Sequence, residues 1–295
     1  MSQTALTVGS FDGVHRGHQA VLAELVRVAG EQGLDSLAVT FEPHPLDVVN
    51  PAAAPKLLTL TEEKLDLLRG SVLRVEVLPF TAELARLEPE EFIREVLLRR
   101  FAMRQLVLGY DHGFGRGRSG DVGLLRRLGA SAGFQVDEVE AVRDGGQPIS
   151  STLIRDAVAH GDLTSAARAL GRSYAVRGVV KKGEGRGRTI GIPTINLAAP
   201  DPRKLLPPDG VYAARVVWRG RRYDAMMNQG ARPTFGVTER GLEVHLFDFA
   251  GDLYGETVTV EWVRRLRDVR TFPSRDALVA QLARDAQSAR DSLKL

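Results

Sequence analysis

The chain has 295 residues, enough for two ordinary domains that each bury a hydrophobic core. Its hydrophobic fraction of 43% is typical of a globular protein, and no apolar run approaches the ~20 residues needed to span a bilayer. The absence of cysteine excludes disulfides, thiolate metal sites and a cysteine nucleophile. No basic segment followed by an apolar one opens the sequence, so we expect a cytoplasmic protein with no membrane partner.

The net charge of +3 conceals an asymmetry between the two halves. Residues 1–171 carry 18 Lys and Arg against 23 Asp and Glu, a net charge of −5. Residues 172–295 carry 22 against 14, a net charge of +8. A basic second half suits phosphate-bearing ligands or nucleic acid, but it is equally consistent with a solvated basic surface.

The first half alternates short β runs with helical patterns. Strands are predicted at residues 5–11, 36–42, 74–80, 105–110 and 134–142, and helices at 16–30, 60–69, 89–101, 121–132, 152–160 and 163–170. Thr59 and Glu62 form a possible capping box, and Pro89 suits a first helical turn. The alternation predicts a Rossmann-like α/β domain, whose parallel sheet is covered on both faces and binds ligands at the carboxyl ends of its strands.

The second half is rich in β runs, at residues 175–182, 194–198, 211–218, 223–228, 242–249 and 257–263. Several short strands with almost no helix predict a closed or nearly closed antiparallel β-barrel. One amphipathic helix ends the chain. Ser274 can cap it, and its apolar stripe consists of Val279, Leu282, Ala286, Ala289 and Leu293. We expect two domains, 1–171 and 172–295.

The densest motif of the first half is GSFDGVHRGH at residues 9–18, between the first strand and the first helix. Exposed N–H groups at a helix start, together with glycines, favour an anion there. His15 and His18 can donate hydrogen bonds to charge on a phosphate. Two other interpretations stay open: ordinary loop histidines, and a metal site completed by Asp12, for which no further ligand lies nearby.

A second segment, ISSTLIR at residues 149–155, places hydroxyls and Arg155 at the start of a helix. Ser151 and Arg155 there suit a second oxyanion cradle, or the hydroxyls serve only as a helix cap. The sequence contains no G-x-x-x-x-G-K-[ST] motif, so a nucleotide in this domain is not held by a Walker loop.

The densest motif of the second half is GEGRGRTIGIPTIN at residues 183–196. Its alternate glycines, with Arg186 and Arg188, suit a loop that wraps a phosphate, although a basic flexible hairpin or a nucleic-acid contact stays open. The Thr194 hydroxyl and the Asn196 carbonyl could hold a hard cation whose other ligands are phosphate and water, as Mg²⁺ prefers. Glu243 lies on the polar face of a strand, which is compatible with solvent or with a site.

These motifs resemble the bacterial bifunctional riboflavin kinase/FMN adenylyltransferase (FAD synthetase) family. The first half carries the resemblance in GSFDGVHRGH, TFEPHP (40–45) and ISSTLIR. The second half carries it in PTIN (193–196), GVYAARV (210–216), NQGARPTFG (228–236), LEVHLFDF (242–249), DLYGE (252–256) and LRDVRTF (266–272). Class I aminoacyl-tRNA synthetases share the H-x-G-H signature, but their K-M-S-K-S-type loop is absent from this chain.

The resemblance implies an enzyme that phosphorylates riboflavin to FMN in the second domain and adenylylates FMN to FAD in the first, releasing pyrophosphate, with ATP and Mg²⁺. It implies catalytic roles for His15, His18, Ser151, Arg155 and Glu243. It further implies ATP or phosphate contacts at Gly9, Phe11, Asp12, Gly17, Gly183, Arg186, Gly187, Arg188 and Gly191, flavin contacts at Phe41, Pro43, His44, Asp111 and Arg267, and metal contacts at Thr194 and Asn196. His112 and Gly113 depart from the residues common in the family.

Two other functions stay open at this point. One is an RNA-binding protein with a degenerate nucleotidyltransferase domain, which the scarcity of aromatics interleaved in the basic half argues against. The other is a flavin sensor without turnover, which the intact pairs His15/His18 and Thr194/Asn196 argue against. We expect riboflavin, FMN, FAD and ATP as partners and no nucleic acid. The sequence leaves the oligomeric state open.

Overall fold

The protein is described from a computed structural model that covers residues 2–110, 122–183, 187, 191–198, 200–234 and 237–294, with the backbone alone for 231–234 and 237–240. It contains two compact units, Met1–Ser151 and Thr152–Leu295. The domain limits expected from the sequence, 1–171 and 172–295, stay predictions. Within the described ranges, no helix is both long enough and apolar enough to cross a membrane.

The first unit is built on a five-stranded parallel sheet with the order β3-β2-β1-β4-β5. Because β1 lies in the centre and the order reverses between β1 and β4, the loop after β1 lies at the topological switch point, where such sheets bind ligands. The elements are β1 (Thr4–Val8), α1 (Arg16–Gln32), β2 (Asp35–Glu42), α2 (Pro45–Val49), a 3₁₀ turn (Pro51–Ala53), α3 (Thr61–Arg69), β3 (Arg74–Pro79), α4 (Ala82–Arg86), α5 (Pro89–Glu91) continuing through a π-helical stretch (Phe92–Leu98) into α6 (Arg99–Phe101), β4 (Met103–Gly109), α7 (Val122–Ala132), β5 (Gln135–Val139), β6 (Arg143–Asp144) and β7 (Gln147–Pro148).

Alternate residues of the central strand enter two separate cores. Leu6 and Val8 of β1 pack with the helix of residues 89–101, whereas Ala5 packs with Leu22 and Leu25 of α1. Burial on both faces explains why β1 is a continuous apolar run and not an alternating one. The Rossmann-like parallel α/β architecture expected from the sequence is confirmed.

One local prediction in this unit is wrong. The helix α3 begins at Thr61, and its capping carboxylate belongs to Glu63, which accepts a hydrogen bond from the Leu60 N–H at 2.9 Å. Thr59 does not cap the helix, because its hydroxyl accepts from the Gly13 N–H at 2.9 Å. The short helices α2 and α4 were not predicted, since five residues are too few to show helical periodicity.

The second unit is a closed antiparallel barrel with the strand order β10-β11-β12-β9-β8-β13, and this confirms the predicted barrel. The last helix, α10, is capped by the Ser274 hydroxyl and packs Ala289 and Leu293 against Ala213 and Phe247. The elements are α8 (Ser151–His160), which starts at the last residue of the first unit, α9 (Leu163–Leu170), β8 (Tyr174–Lys181), β9 (Ile195–Leu197), β10 (Gly210–Trp218), β11 (Arg221–Thr234), β12 (Val237–Leu246), β13 (Thr257–Arg267) and α10 (Arg275–Leu293).

Candidate active sites

The loop after β1 is strained and held in place by the core. Phe11, Gly13 and Val14 have positive φ angles of 49°, 83° and 39°. A β-branched residue such as Val14 rarely adopts this conformation, and each such non-glycine position costs on the order of 1–3 kcal/mol. Phe11 and Val14 are only 3% and 2% exposed, so their burial offsets the cost and fixes the loop. Phe11, predicted to contact ATP, is therefore a core residue whose ring meets His18 edge-on.

His15 and His18 are brought together at the N-terminus of α1. Their rings stack with centroids 3.6 Å apart, and His15 Nδ1 accepts the His18 backbone N–H at 3.3 Å. A Cβ at Gly17 would lie 3.1 Å from the His15 ring, so the glycine between the histidines allows this ring to fold back. Gly9 is close-packed in the same way, against the ring of Phe11.

Burial lowers the pKa of His18 well below its usual value, and the neighbouring His15 lowers it further. His18 is therefore neutral at pH 7. Among the described residues, its Nδ1 is buried without a hydrogen-bond partner. Since His15 Nδ1 accepts, the proton of a neutral His15 ring resides on Nε2. The two imidazoles lie at the N-terminus of a 17-residue helix, where the positive end of the helix dipole favours a bound anion.

The Asp12 carboxylate is engaged by backbone groups. It accepts from the N–H groups of Leu58 and Thr59 at 3.0 and 2.9 Å, and the residue is 3% exposed. The Ser151 hydroxyl donates to the Asp12 carbonyl at 2.8 Å, which brings Ser151 to the histidine loop. Arg155 lies one turn further along α8, on the same face of that helix as Ser151.

The residues predicted to contact flavin fall in different places. Phe41 is buried at the second-last position of β2, His44 caps α2 through Nδ1, and the Glu42–Pro43 peptide between them is cis. Arg267 belongs to the other unit, where its guanidinium is bound to Asp285 of α10 at 2.7 Å and to the Asp268 carbonyl at 2.8 Å. Each of its three guanidinium nitrogens thus has a protein acceptor. Asp111, His112 and Gly113 lie outside the described residues.

Strand register assembles the second site. Glu243 of β12 lies directly opposite Asn196 of β9, and on its other side opposite Asn228 of β11. Directly paired residues of antiparallel strands project from the same face, so the carboxylate and the Asn196 amide share one surface. Asn196 is buried, with 7% of its surface exposed.

Two glycines close tightly over the P-T-x-N strand. A Cβ at Gly183 would lie 1.9 Å from Asn196 Nδ2, and one at Gly187 would lie 2.2 Å from the Ile192 carbonyl and 3.4 Å from the Thr194 hydroxyl. Gly191 has a φ of +76°, which favours glycine. Both motif residues predicted to bind metal therefore lie against a close-packed glycine, Asn196 beside Gly183 and Thr194 beside Gly187, and we call this arrangement the glycine cradle. Arg186 and Arg188 lie outside the described residues.

Two residues that contact the segments of the predicted sites were not predicted from the sequence. His245 Nδ1 hydrogen-bonds the Pro193 carbonyl at 2.7 Å, immediately before Thr194. Its place two residues after Glu243 on the same polar face was a usable signal. Lys64 is 6% exposed and lies beneath the histidine loop. No signal marked it, because a lysine in the segment TEEK is typical of a solvated helix.

Comparison with known proteins assigns both halves. Residues 1–153 match the family model described as FAD synthetase, and residues 170–293 match the one described as riboflavin kinase. The bifunctional riboflavin kinase/FMN adenylyltransferase of Escherichia coli strain K12 is 39% identical over 288 residues, which cover 97% of this chain and 91% of that protein. The corresponding protein of Bacillus subtilis strain 168 is 34% identical over 294 residues, covering 98% and 92%.

A crystal structure described as a macrolide-efflux protein from Streptococcus pneumoniae superposes with a TM-score of 0.88 at 34% identity, covering 98% of this chain and 95% of that one. Its likeness supports the arrangement of elements described above over almost the whole chain. The family models and the curated relatives agree in both halves, so the chain belongs to the bifunctional riboflavin kinase/FMN adenylyltransferase family.

Proposed function

We propose that the histidine loop of the first unit carries out FMN adenylylation and that the β9–β12 surface of the barrel carries out riboflavin phosphorylation. The family performs both reactions, using riboflavin, FMN and ATP. One observation carries the division of labour: an imidazole pair suited to an anion and a carboxylate–amide pair suited to a kinase lie in two different compact units. FAD synthesis is an activity of this family, and a cytoplasmic location belongs to the proposal.

In adenylylation, a phosphate oxygen of FMN attacks the α-phosphorus of ATP, and the bond to the β-phosphate breaks, releasing pyrophosphate. No protein nucleophile or proton acceptor is needed, because the attacking oxygen is already an anion. The enzyme has to align the reactants and neutralise charge on the phosphates. His15 and His18 donate to those oxygens from the start of α1, and Ser151, the last residue of the first unit, assists beside them. The role that the family resemblance implies for Arg155 stays a prediction. Asp12 acts as a positioning residue, because its carboxylate is engaged by the backbone.

In phosphorylation, the 5′-hydroxyl oxygen of riboflavin attacks the γ-phosphorus of ATP, and ADP leaves. Glu243 accepts the hydroxyl proton as general base. Asn196 is buried and lies directly opposite Glu243 on the neighbouring strand. The pairing of the two strands therefore keeps the distance between the base and the phosphate-binding strand constant. Gly183 and Gly187 lie close to the residues of the P-T-x-N motif.

The residues of the P-T-x-N strand fit a magnesium ion. The Thr194 hydroxyl and the Asn196 carbonyl are hard oxygen donors inside the glycine cradle, and Mg²⁺ commonly takes few protein ligands beside phosphates and water. Among the described residues, no cluster of three His, Asp or Glu side chains offers an alternative. When bound there, Mg²⁺ would neutralise charge on the ATP phosphates.

The division of labour is tested with two variants of the full chain. Purified protein is incubated with riboflavin or FMN, ATP and Mg²⁺, and the flavins are resolved chromatographically. His18→Ala should abolish FAD formation and leave FMN formation intact, and Glu243→Gln should do the reverse. Loss of both activities in either folded variant would contradict the proposal, and so would full retention of the activity assigned to that residue.

A further inference from the structure

Lys64 of α3 is a buried lysine at the carboxyl end of the parallel sheet. Only 6% of it is exposed, whereas lysines are almost never this buried unless a partner compensates their charge. A methionine would fill a similar volume without the cost of burying an ammonium group. The burial of a charge at this point therefore calls for an explanation beyond packing.

The ammonium group links two loops of the proposed adenylylation site. Lys64 Nζ donates to the Phe41 carbonyl at 3.0 Å, immediately before the turn that carries His44. The carboxylates of Glu42 and Asp12 attract the same charge from either side. Asp12 belongs to the histidine loop and Glu42 to the end of β2, so one cation is shared by the segments that follow β1 and β2.

Further hydrogen bonds tie this cluster to the start of α3. The Thr61 hydroxyl donates to Glu42 at 2.5 Å, and the Thr59 hydroxyl donates to Asp12 at 3.2 Å while accepting from the Gly13 N–H. The groups line a cavity of about 10 Å³, which is room for about one water molecule. The cluster therefore links the loops of the site through hydrogen bonds and charge.

We propose that Lys64 is a positioning residue for FMN adenylylation, holding the histidine loop and the Phe41–His44 turn in a fixed relation. This inference rests on the proposed assignment of adenylylation to the first unit. Lys64 touches no substrate. It acts through Asp12, which anchors the loop of His15 and His18, and through the Phe41 carbonyl.

The charge of Lys64 gives the proposal a distinctive pH signature. Burial lowers its pKa from the usual value, and Glu42 and Asp12 oppose that shift. The titratable groups that line the cavity around it are these two carboxylates and His44. Adenylylation should therefore decline with rising pH as Lys64 loses its proton. An arginine at this position stays charged throughout that range.

The experiment compares Lys64→Met and Lys64→Arg with the unmodified chain, measuring kcat and KM of FAD formation from pH 6 to pH 10. Riboflavin phosphorylation in the same samples is the internal control, because Lys64 lies outside the barrel. The exposed Lys56, on the same segment, gives the matched control Lys56→Met. We expect Lys64→Met to lower kcat of adenylylation on the order of 10- to 100-fold, as a misplacement of about 1 Å does. Lys64→Arg should retain part of the activity and move the alkaline decline to higher pH.

The proposal is overturned if Lys64→Met keeps the kcat of the unmodified chain, or if the alkaline decline falls at the same pH with lysine and with arginine. Circular dichroism and thermal unfolding show whether Lys64→Met has folded. If it has not, the pH profile of Lys64→Arg decides alone. Failure of the underlying assignment is recognised separately, because FAD formation would then survive His18→Ala.

Discussion

A single methyl group at position 183 should disable the kinase. The structure gives Gly183→Ala a Cβ only 1.9 Å from Asn196 Nδ2, where ordinary contact needs about 3.4 Å. Either the Asn196 amide or the backbone at 183 must therefore move by about 1.5 Å. Misplacement of a reacting group by about 1 Å can lower a rate on the order of 100-fold. We expect a loss of at least that size in riboflavin phosphorylation, with a raised half-saturating concentration of Mg²⁺.

The assay follows FMN formation from riboflavin and ATP across a magnesium titration, and FAD formation from FMN in the same preparation. FAD formation should not change, because Gly183 lies in the barrel. Gly230→Ala is the matched control, since among the described residues its Cβ would meet Val269 Cγ2 alone, at an ordinary 3.5 Å. If Gly183→Ala phosphorylates riboflavin as fast as Gly230→Ala, with the same magnesium dependence, then close packing of the glycine on Asn196 does not set the geometry of the site.

Two further predictions concern histidines. Because the pKa of His18 is lowered in the folded state, folding favours its neutral form. The contribution of His18 to the free energy of unfolding therefore has its full value above pH 6.5 and is lost as the pH falls toward the lower folded-state pKa. In that window the free energy of unfolding of the first unit should fall by up to about 1.4 kcal/mol per pH unit, and His18→Gln should flatten this slope in urea titrations. In the barrel, His245→Asn keeps a donor near the Nδ1 position and should retain kinase activity. His245→Gln places its amide farther out. It should weaken Mn²⁺ binding, measured by electron paramagnetic resonance, and it should also lower turnover. Equal Mn²⁺ affinity in both variants would show that the bond to the Pro193 carbonyl does not position Thr194.

Local patterns in the sequence predicted most of the fold. Strands alternating with helices predicted the parallel sheet, and six short β runs predicted the barrel, because the periods of 2 and 3.6 residues reflect which side chains are buried. The limits of β11 and β12 were less predictable. The two strands extend toward each other through Thr234 and Val237, and that extension depends on their pairing with one another.

The chemistry of the two sites divides in the same way. The sequence by itself determined the residue types: two imidazoles beside glycines, a hydroxyl and an amide on one strand, and a carboxylate on a polar face. Only the tertiary structure decided which of them meet. Strand register placed Glu243 opposite Asn196, long-range hydrogen bonds turned Asp12 toward the backbone of residues 58 and 59, and burial enclosed Lys64 between two carboxylates. The physical reason is that a local pattern records whether a side chain is buried, whereas its partner and its protonation depend on elements distant in the chain.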